Sequence, residues 1–259
     1  MTTERNGVRV YTYVSPASSN HVTSHIIEAE TGLVVVDAQF QVPYAQELKR
    51  ILSGMEKPVE RVVISHAHPD HFYGLSVAFE DVPIYALAAT QDAIATTGQG
   101  MLDGQRQQMG QLLPETVLAP TQTLTEGAMT IDGLDFEFER VEDAEAPEQV
   151  IVRLPSAGIH IVQDLAYNQV HLFTGNDTID SWMGVLSGMT DLDGAVLVGH
   201  GRPTTAAVFQ QDIEYLRQTI DARTEAGTPE AFMNAMREAY PGWPGDALLG
   251  FSAAMLYAR

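Results

Sequence analysis

The chain has 259 residues, enough for one sizeable core, and 45% of them are hydrophobic, an ordinary share for a globular protein. Its 14 Lys and Arg stand against 34 Asp and Glu, a formal net charge of −20, and a field of that sign repels phosphate backbones and anionic bilayers. No nucleic acid and no membrane partner is therefore expected. Cysteine is absent, which excludes a disulfide framework, a thiol nucleophile and thiolate metal ligands; a metal here must be held by nitrogen and oxygen.

The first residues, MTTERNGVRV, lack the charged-then-apolar pattern of a secretion signal, and no stretch approaches the roughly 20 apolar residues of a membrane span. The expected location is cytoplasmic. Alternation at Val8, Val10, Thr12 and Val14 predicts a strand, and HVTSHIIEAETGLVVVDAQF predicts two more around a turn at Glu30-Thr31-Gly32. Residues 43–54 predict a helix with Tyr44, Leu48, Ile51 and Leu52 on one face, Pro43 in its first turn and Gly54 after its last. A strand over 60–64 then runs into SHAHPDH. A short strand at 82–87, a helical region over about 88–113 and a Pro-marked loop come next.

Two strand pairs follow, in MTIDGLDFEFERVED and QVIVRLPSAGIHIVQD, each with a Gly-containing turn. The last third is helical around one apolar run, AVLVGHG (195–201). After Pro203, Phe209, Ile213, Leu216 and Ile220 recur as one buried helical face, and a final helix is expected from Thr228-Pro229-Glu230 to Pro241-Gly242. Strands, helix, strands and helix in this order predict an α/β (α+β) architecture of two mixed sheets with helices outside. The expected division is a catalytic domain over 1–225 and a helical extension of the same domain over 226–259.

SHAHPDH concentrates His66, His68, Asp70 and His71 at a strand end. Two residues apart in an extended segment, His66 and His68 share a side and can chelate one ion. Pro69 turns the chain, so that Asp70 and His71 can address a neighbouring ion. A single histidine is usually a core or surface residue, but three with an aspartate directly after an apolar strand read as a metal site. His160, in an apolar strand, reads as a packed or edge residue. His21 and His25 have no partner spacing, and Ser65 reads as a strand-end residue that satisfies backbone groups.

The HxHxDH pattern resembles the metallo-β-lactamase superfamily, in which it follows a strand of a four-layer αβ/βα sandwich. GLVVVDAQF resembles that family's strand ending in an aspartate, here Asp37, and APTQTLTEGAMTIDGLDFEFERVEDA resembles the region before its next ligand. VIVRLPSAGIHIVQDLAYN resembles the strand pair ending in a bridging acid, here Asp164, and LVGHGRP resembles the last metal motif, with His200. Where most members have GHTPGS this chain reads AEAPEQ and offers Glu145, which is similar to the alkylsulfatase branch. The resemblance implies a first site of His66, His68 and Glu145 and a second of Asp70, His71 and His200, bridged by Asp164. It also implies that His171, seven residues after Asp164, reaches the substrate or the surroundings of the ligands. Tyr73 and Asn168, flanking the acidic ligands, are candidate substrate contacts.

The implied cofactors are two divalent metal ions, zinc first and Mn²⁺ or Fe²⁺ as alternatives, because Glu145 hardens the donor set. Two such ions bring four positive charges and Asp70, Glu145 and Asp164 remove three, so a bridging hydroxide neutralises the cluster. With histidine at 145 one positive charge would remain. The implied activity is hydrolysis of a small ester-like molecule by that hydroxide, with Asp70 orienting the nucleophile and taking its proton. The Glu145 pattern favours a sulfate ester. Alternatives are a mononuclear iron oxygenase on the same fold, a lactonase, thioesterase or phosphodiesterase, and last a non-enzymatic metal- or ligand-binding protein. Alkylsulfatases are longer, with added dimerisation and lipid-carrier-like domains, and nothing after residue 225 is long enough to be either; that tail is expected to cover the site or support a homodimer.

Overall fold

In the computed structural model, which describes residues 1–176 and 178–258, β-branched runs assemble into two sheets. The first part contains β1 (Thr2–Arg5), β2 (Val8–Val14), β3 (Thr23–Glu28), β4 (Leu33–Val36), α1 (Val42–Ser53), β5 (Val59–Val63), α2 (Pro69–Phe72), α3 (Leu75–Ala78), β6 (Ile84–Ala86), α4 (Ala88–Met109) and β7 (Gln122–Thr123). These strands form one sheet in sequential order, antiparallel from β1 to β4 and parallel from β4 to β7. The second part contains β8 (Gly127–Ile131), β9 (Leu134–Glu142), β10 (Glu148–Leu154), β11 (Ile159–Asn168), α5 (Ile179–Ser187), β12 (Ala195–Gly201), α6 (Ala207–Glu225), α7 (Pro229–Ala239) and α8 (Asp246–Tyr257). Its sheet runs β12-β11-β10-β9-β8, antiparallel except for the parallel β11–β12 pair.

Alternation within the strands decides the layers. Val8, Val10, Ile27, Val34, Val36 and Val63 of the first sheet face Phe136, Phe138, Val150, Val152, Ile159 and Ile161 of the second across one core. The other side of the first sheet, with Ile26, Val35 and Val62, buries Leu48 and Leu52 of α1 and Ile94 and Leu102 of α4. On the second sheet, Ile151, Val162 and Val196 pack with Trp182, Phe209, Leu216, Phe232 and Leu249 from α5 to α8. This is the predicted arrangement of two mixed sheets with helices outside.

Three features differ from the sequence expectations. Strand β1 was not expected; its residues are mostly exposed, so its pairing with β2 leaves no periodicity in the sequence. Helix α8 was not expected either, because its mean hydropathy is high on every side and it lies beyond the Pro-Gly-rich 241–245 turn. On α6, Phe209, Ile213 and Leu216 are buried, but Ile220 is 36% exposed, and the stripe ends instead on Thr219 and Ala222. The later helices, absent from the periodicity of α6 itself, decide which side of its last turns is covered.

The sheets converge at one edge. Ser65, just past β5, accepts from Val150 N of β10 at 2.9 Å, and Val22 bridges to His200 of β12. The ends of β4, β5, β11 and β12 therefore open together.

Candidate metal centre

Three imidazoles at this edge, His66, His71 and His200, are oriented by what holds the other nitrogen. Asp37 follows β4 with φ 63°, which turns its carboxylate under the SHAHPDH segment. Its Oδ1 accepts from Ser65 N (2.8 Å), and its Oδ2 accepts from Ser65 Oγ (2.6 Å) and His71 Nδ1 (2.7 Å), as well as from Gln163 Nε2. With its own proton committed to Asp37, Ser65 Oγ accepts from His66 Nδ1 at 2.9 Å. His200 Nδ1 donates to Asn20 O at 2.8 Å. All three rings thus hold a proton on Nδ1 and turn Nε2 inward, the nitrogen left for a metal.

Two donor groups result. His66, His68, Glu145 and Asp164 form one, and Asp70, His71 and His200 the other, with the donor atoms in each within 4.8 Å of one another. In the first, Glu145 lies 3.7 Å from His66 Nε2 and 3.2 Å from His68 Nδ1, and Asp164 Oδ2 lies 3.8 Å from His66 Nε2. In the second, Asp70 lies 3.8 Å from His71 Nε2 and 3.4 Å from His200 Nε2. Asp164 reaches this group too, at 3.1 Å from His71 Nε2 and 3.2 Å from His200 Nε2. All seven residues singled out from the sequence are brought together, with Asp164 between the halves.

The backbone makes room for this. A Cβ at Gly199 would overlap Asp164 Oδ1, so only glycine on β12 admits that carboxylate. Glu145 sits in a tight turn closed by Asp143 N to Pro147 O at 3.1 Å, and its carbonyl accepts from Asn176 Nδ2 at 2.7 Å.

The donor set fits a divalent metal. His66 Nε2, His71 Nε2, Glu145 Oε2 and Asp164 Oδ1 are buried without a hydrogen-bond partner, and orphaned polar atoms converging on one space are costly unless a ligand satisfies them. Without metal, protons take over that role. Burial lowers the His71 and His200 pKa values, but the charges of Asp164 and Asp70 outweigh it, raising His71 well above the usual imidazole range and His200 to about 10. His66 is different: burial, reinforced by His71 and His68, holds it neutral. Metal loading at pH 8 should therefore displace at least one proton per chain, and affinity should weaken as pH falls, because the raised histidines are then more fully protonated. Calorimetry in two buffers of different ionisation enthalpy measures this; a buffer-independent heat would contradict it. Asp37→Asn should in turn lower metal affinity by about 10–100-fold, the usual cost of removing the partner of a ligating histidine. A metal titration of the variant checks this.

The three candidate contacts are placed elsewhere. Tyr73 is buried and stacks on Phe40 at 5.8 Å, so that Phe40, not Tyr73, lines the cleft above the cluster. Asn168 donates to Arg202 O at 3.0 Å and lines a different cavity. His171 bonds the Tyr215 hydroxyl at 3.0 Å within an aromatic cluster that includes Trp243. Burial lowers its pKa, so it behaves as a packed neutral ring. Sequence reading missed Tyr167, whose hydroxyl donates to Asp164 Oδ2 at 2.7 Å and whose ring stacks on His200 at 4.6 Å. Its place on β11, three residues beyond Asp164, carries no motif of its own. His160 and His25 are held by Asp193 O and by Thr12, Thr23 and Val198 as packed residues.

A two-sheet sandwich with helices outside, carrying these donors at one sheet edge, defines a metal-site scaffold of the metallo-β-lactamase type. Residues 19–202 match the metallo-beta-lactamase superfamily, and the chain belongs to it. It is 28% identical over 236 residues to a linear primary-alkylsulfatase of Pseudomonas sp., covering 76% of this chain and 44% of that one. It is 26% identical over 183 residues to the alkyl/aryl-sulfatase BDS1 of Saccharomyces cerevisiae, covering 57% and 28%. The chain spans less than half the length of these curated relatives. In structure it is similar to a metallo-beta-lactamase from Pontibacter korlensis, with a TM-score of 0.64 at 19% identity over 84% of this chain and 98% of that one. No helix among the described residues is long and apolar enough to cross a membrane.

Proposed function

We propose that the chain is a metal-dependent hydrolase of small ester-like molecules with a dinuclear centre, zinc first and Mn²⁺ or Fe²⁺ as alternatives. The observation that supports this best is Asp164, one carboxylate within 3.1–3.8 Å of histidines in both donor groups. Bound divalent ions supply an acidified water and polarise the group under attack. His66, His71 and His200 would hold them through Nε2, His68 through Nδ1, and Asp70, Glu145 and Asp164 through oxygen. Of the donors that line the cleft, Asp70 and His68 are the most exposed, with 16% and 25% of their side chains accessible. That exposure supports a role for Asp70 in orienting the nucleophile and accepting its proton. Tyr167 fixes Asp164 by its hydroxyl and His200 by its ring.

The relatives named above are sulfatases, which supports hydrolysis of an ester over oxygenase chemistry on the same scaffold. The test is a panel of carboxylic and sulfuric esters offered to metal-loaded and chelated protein, with oxygen uptake recorded. Ester turnover that chelation abolishes, without oxygen consumption, is expected. Oxygen uptake coupled to turnover would overturn the reading.

A further inference from the structure

The cleft over the cluster is a cavity of about 360 Å³ with His68, Asp70, Glu145, Asp164 and Tyr167 at its floor. Its walls are apolar: Phe40, Met101, Phe173, Leu248, Phe251 and Met255. Half of that wall belongs to α8. This helix is pinned beside the site, because Ser252 Oγ accepts from Thr174 N at 2.8 Å and a Cβ at Gly175 would press on Met255 Sδ. Phe173 from the same segment meets the His68 ring edge-on at 5.5 Å. Phe251 and Met255 are 57% and 40% exposed, so they offer apolar surface that a ligand would cover.

The polar lining other than the cluster and Tyr167 consists of the neutral amides Asn20, Gln105 and Asn176. Among the described lining residues there is no Lys or Arg; Arg202, two residues after the last histidine, lines a different cavity with His21 and Asn168. Two divalent ions, three carboxylates and a hydroxide sum to zero, so a monoanionic sulfate ester entering a chain of net charge −20 would lose water with neither a net positive centre nor a side-chain cation to receive it. An uncharged ester meets no such penalty, and its hydrocarbon arm gains from the wall.

The geometry points to an uncharged carboxylic ester, lactone or thioester with a hydrocarbon arm as the substrate class, the arm lying on α8 against Phe251, Met255 and Phe173. This rests on the hydrolase reading above. In the step, the water oxygen bonds to the carbonyl carbon, the carbonyl carbon–oxygen or carbon–sulfur bond breaks, and the alcohol or thiol leaves with a proton. The carboxylic acid formed releases its own proton to water. No redox partner is needed.

Unreactive probes separate recognition from chemistry. On metal-loaded protein, calorimetry with butyramide, octanamide and octane-1-sulfonate should show octanamide binding at least about tenfold more tightly than either of the others, since each fully buried methylene is worth roughly fourfold. Phe251→Ala with Met255→Ala should weaken octanamide by about tenfold and butyramide by less than about twofold, with the melting temperature lowered only slightly because both side chains are partly exposed and Ser252 still holds α8 to Thr174. Sulfonate binding equal to or tighter than octanamide, or a double variant without effect, would overturn the assignment. If the binding pattern holds but 4-nitrophenyl octanoate is not hydrolysed, the hydrolase reading fails and the recognition by α8 stands.

Discussion

Asp164→Asn is expected to lower kcat/KM for an ester by more than about 100-fold, beyond the upper end for losing a partner one step removed from a metal. The substitution keeps the shape of the side chain and its packing beside Gly199, but removes the charge that both donor groups share. Metal content should fall with it. Removing that carboxylate also removes the leading cause of the raised His71 and His200 pKa values, so the proton release on loading should shrink. Elemental analysis, calorimetry and turnover on one preparation check all three. Full metal content with full activity would show that Asp164 only fills space.

Glu145 separates two readings of the AEAP segment. Its side chain is buried, and burial raises its pKa while the neighbouring His68 opposes that shift. Glu145→Ala should therefore cost metal at the first group, with an activity loss again above about 100-fold. Glu145→His should still bind zinc, since imidazole is an ordinary zinc ligand. It adds one positive charge to the centre, so the acid limb of the rate profile should move to lower pH; a water beside a more positive centre loses its proton more readily. An unchanged acid limb in Glu145→His, or unchanged metal content in Glu145→Ala, would assign this carboxylate a role outside the metal set.

Most of the cluster is legible because its chemistry is local. SHAHPDH holds four donors in one run, and the apolar runs in β11 and β12 lead to Asp164, within β11, and to His200, just before the final Gly201 of β12. Glu145 becomes readable only through resemblance, as nothing in AEAPEQ itself demands a ligand. What escapes is what depends on distant chain segments meeting. Asp37 orients His71 and, through Ser65, His66, a relation that exists only once β4 and β5 lie side by side. Tyr73, Asn168 and His171 are near ligands in sequence, yet a strand alternates its sides and a helix turns, so adjacency along the chain sends them to other surroundings. Helix α8, which walls the cleft, arrives from the far end of the chain with no periodic stripe to announce it.

Metal stoichiometry tests the central claim most directly. Seven donors in two groups joined by Asp164 predict two divalent ions per chain after loading and removal of excess metal, about 3.5–4 Å apart by X-ray absorption or anomalous scattering. One ion per chain at saturation, with full ester turnover, would contradict the dinuclear centre.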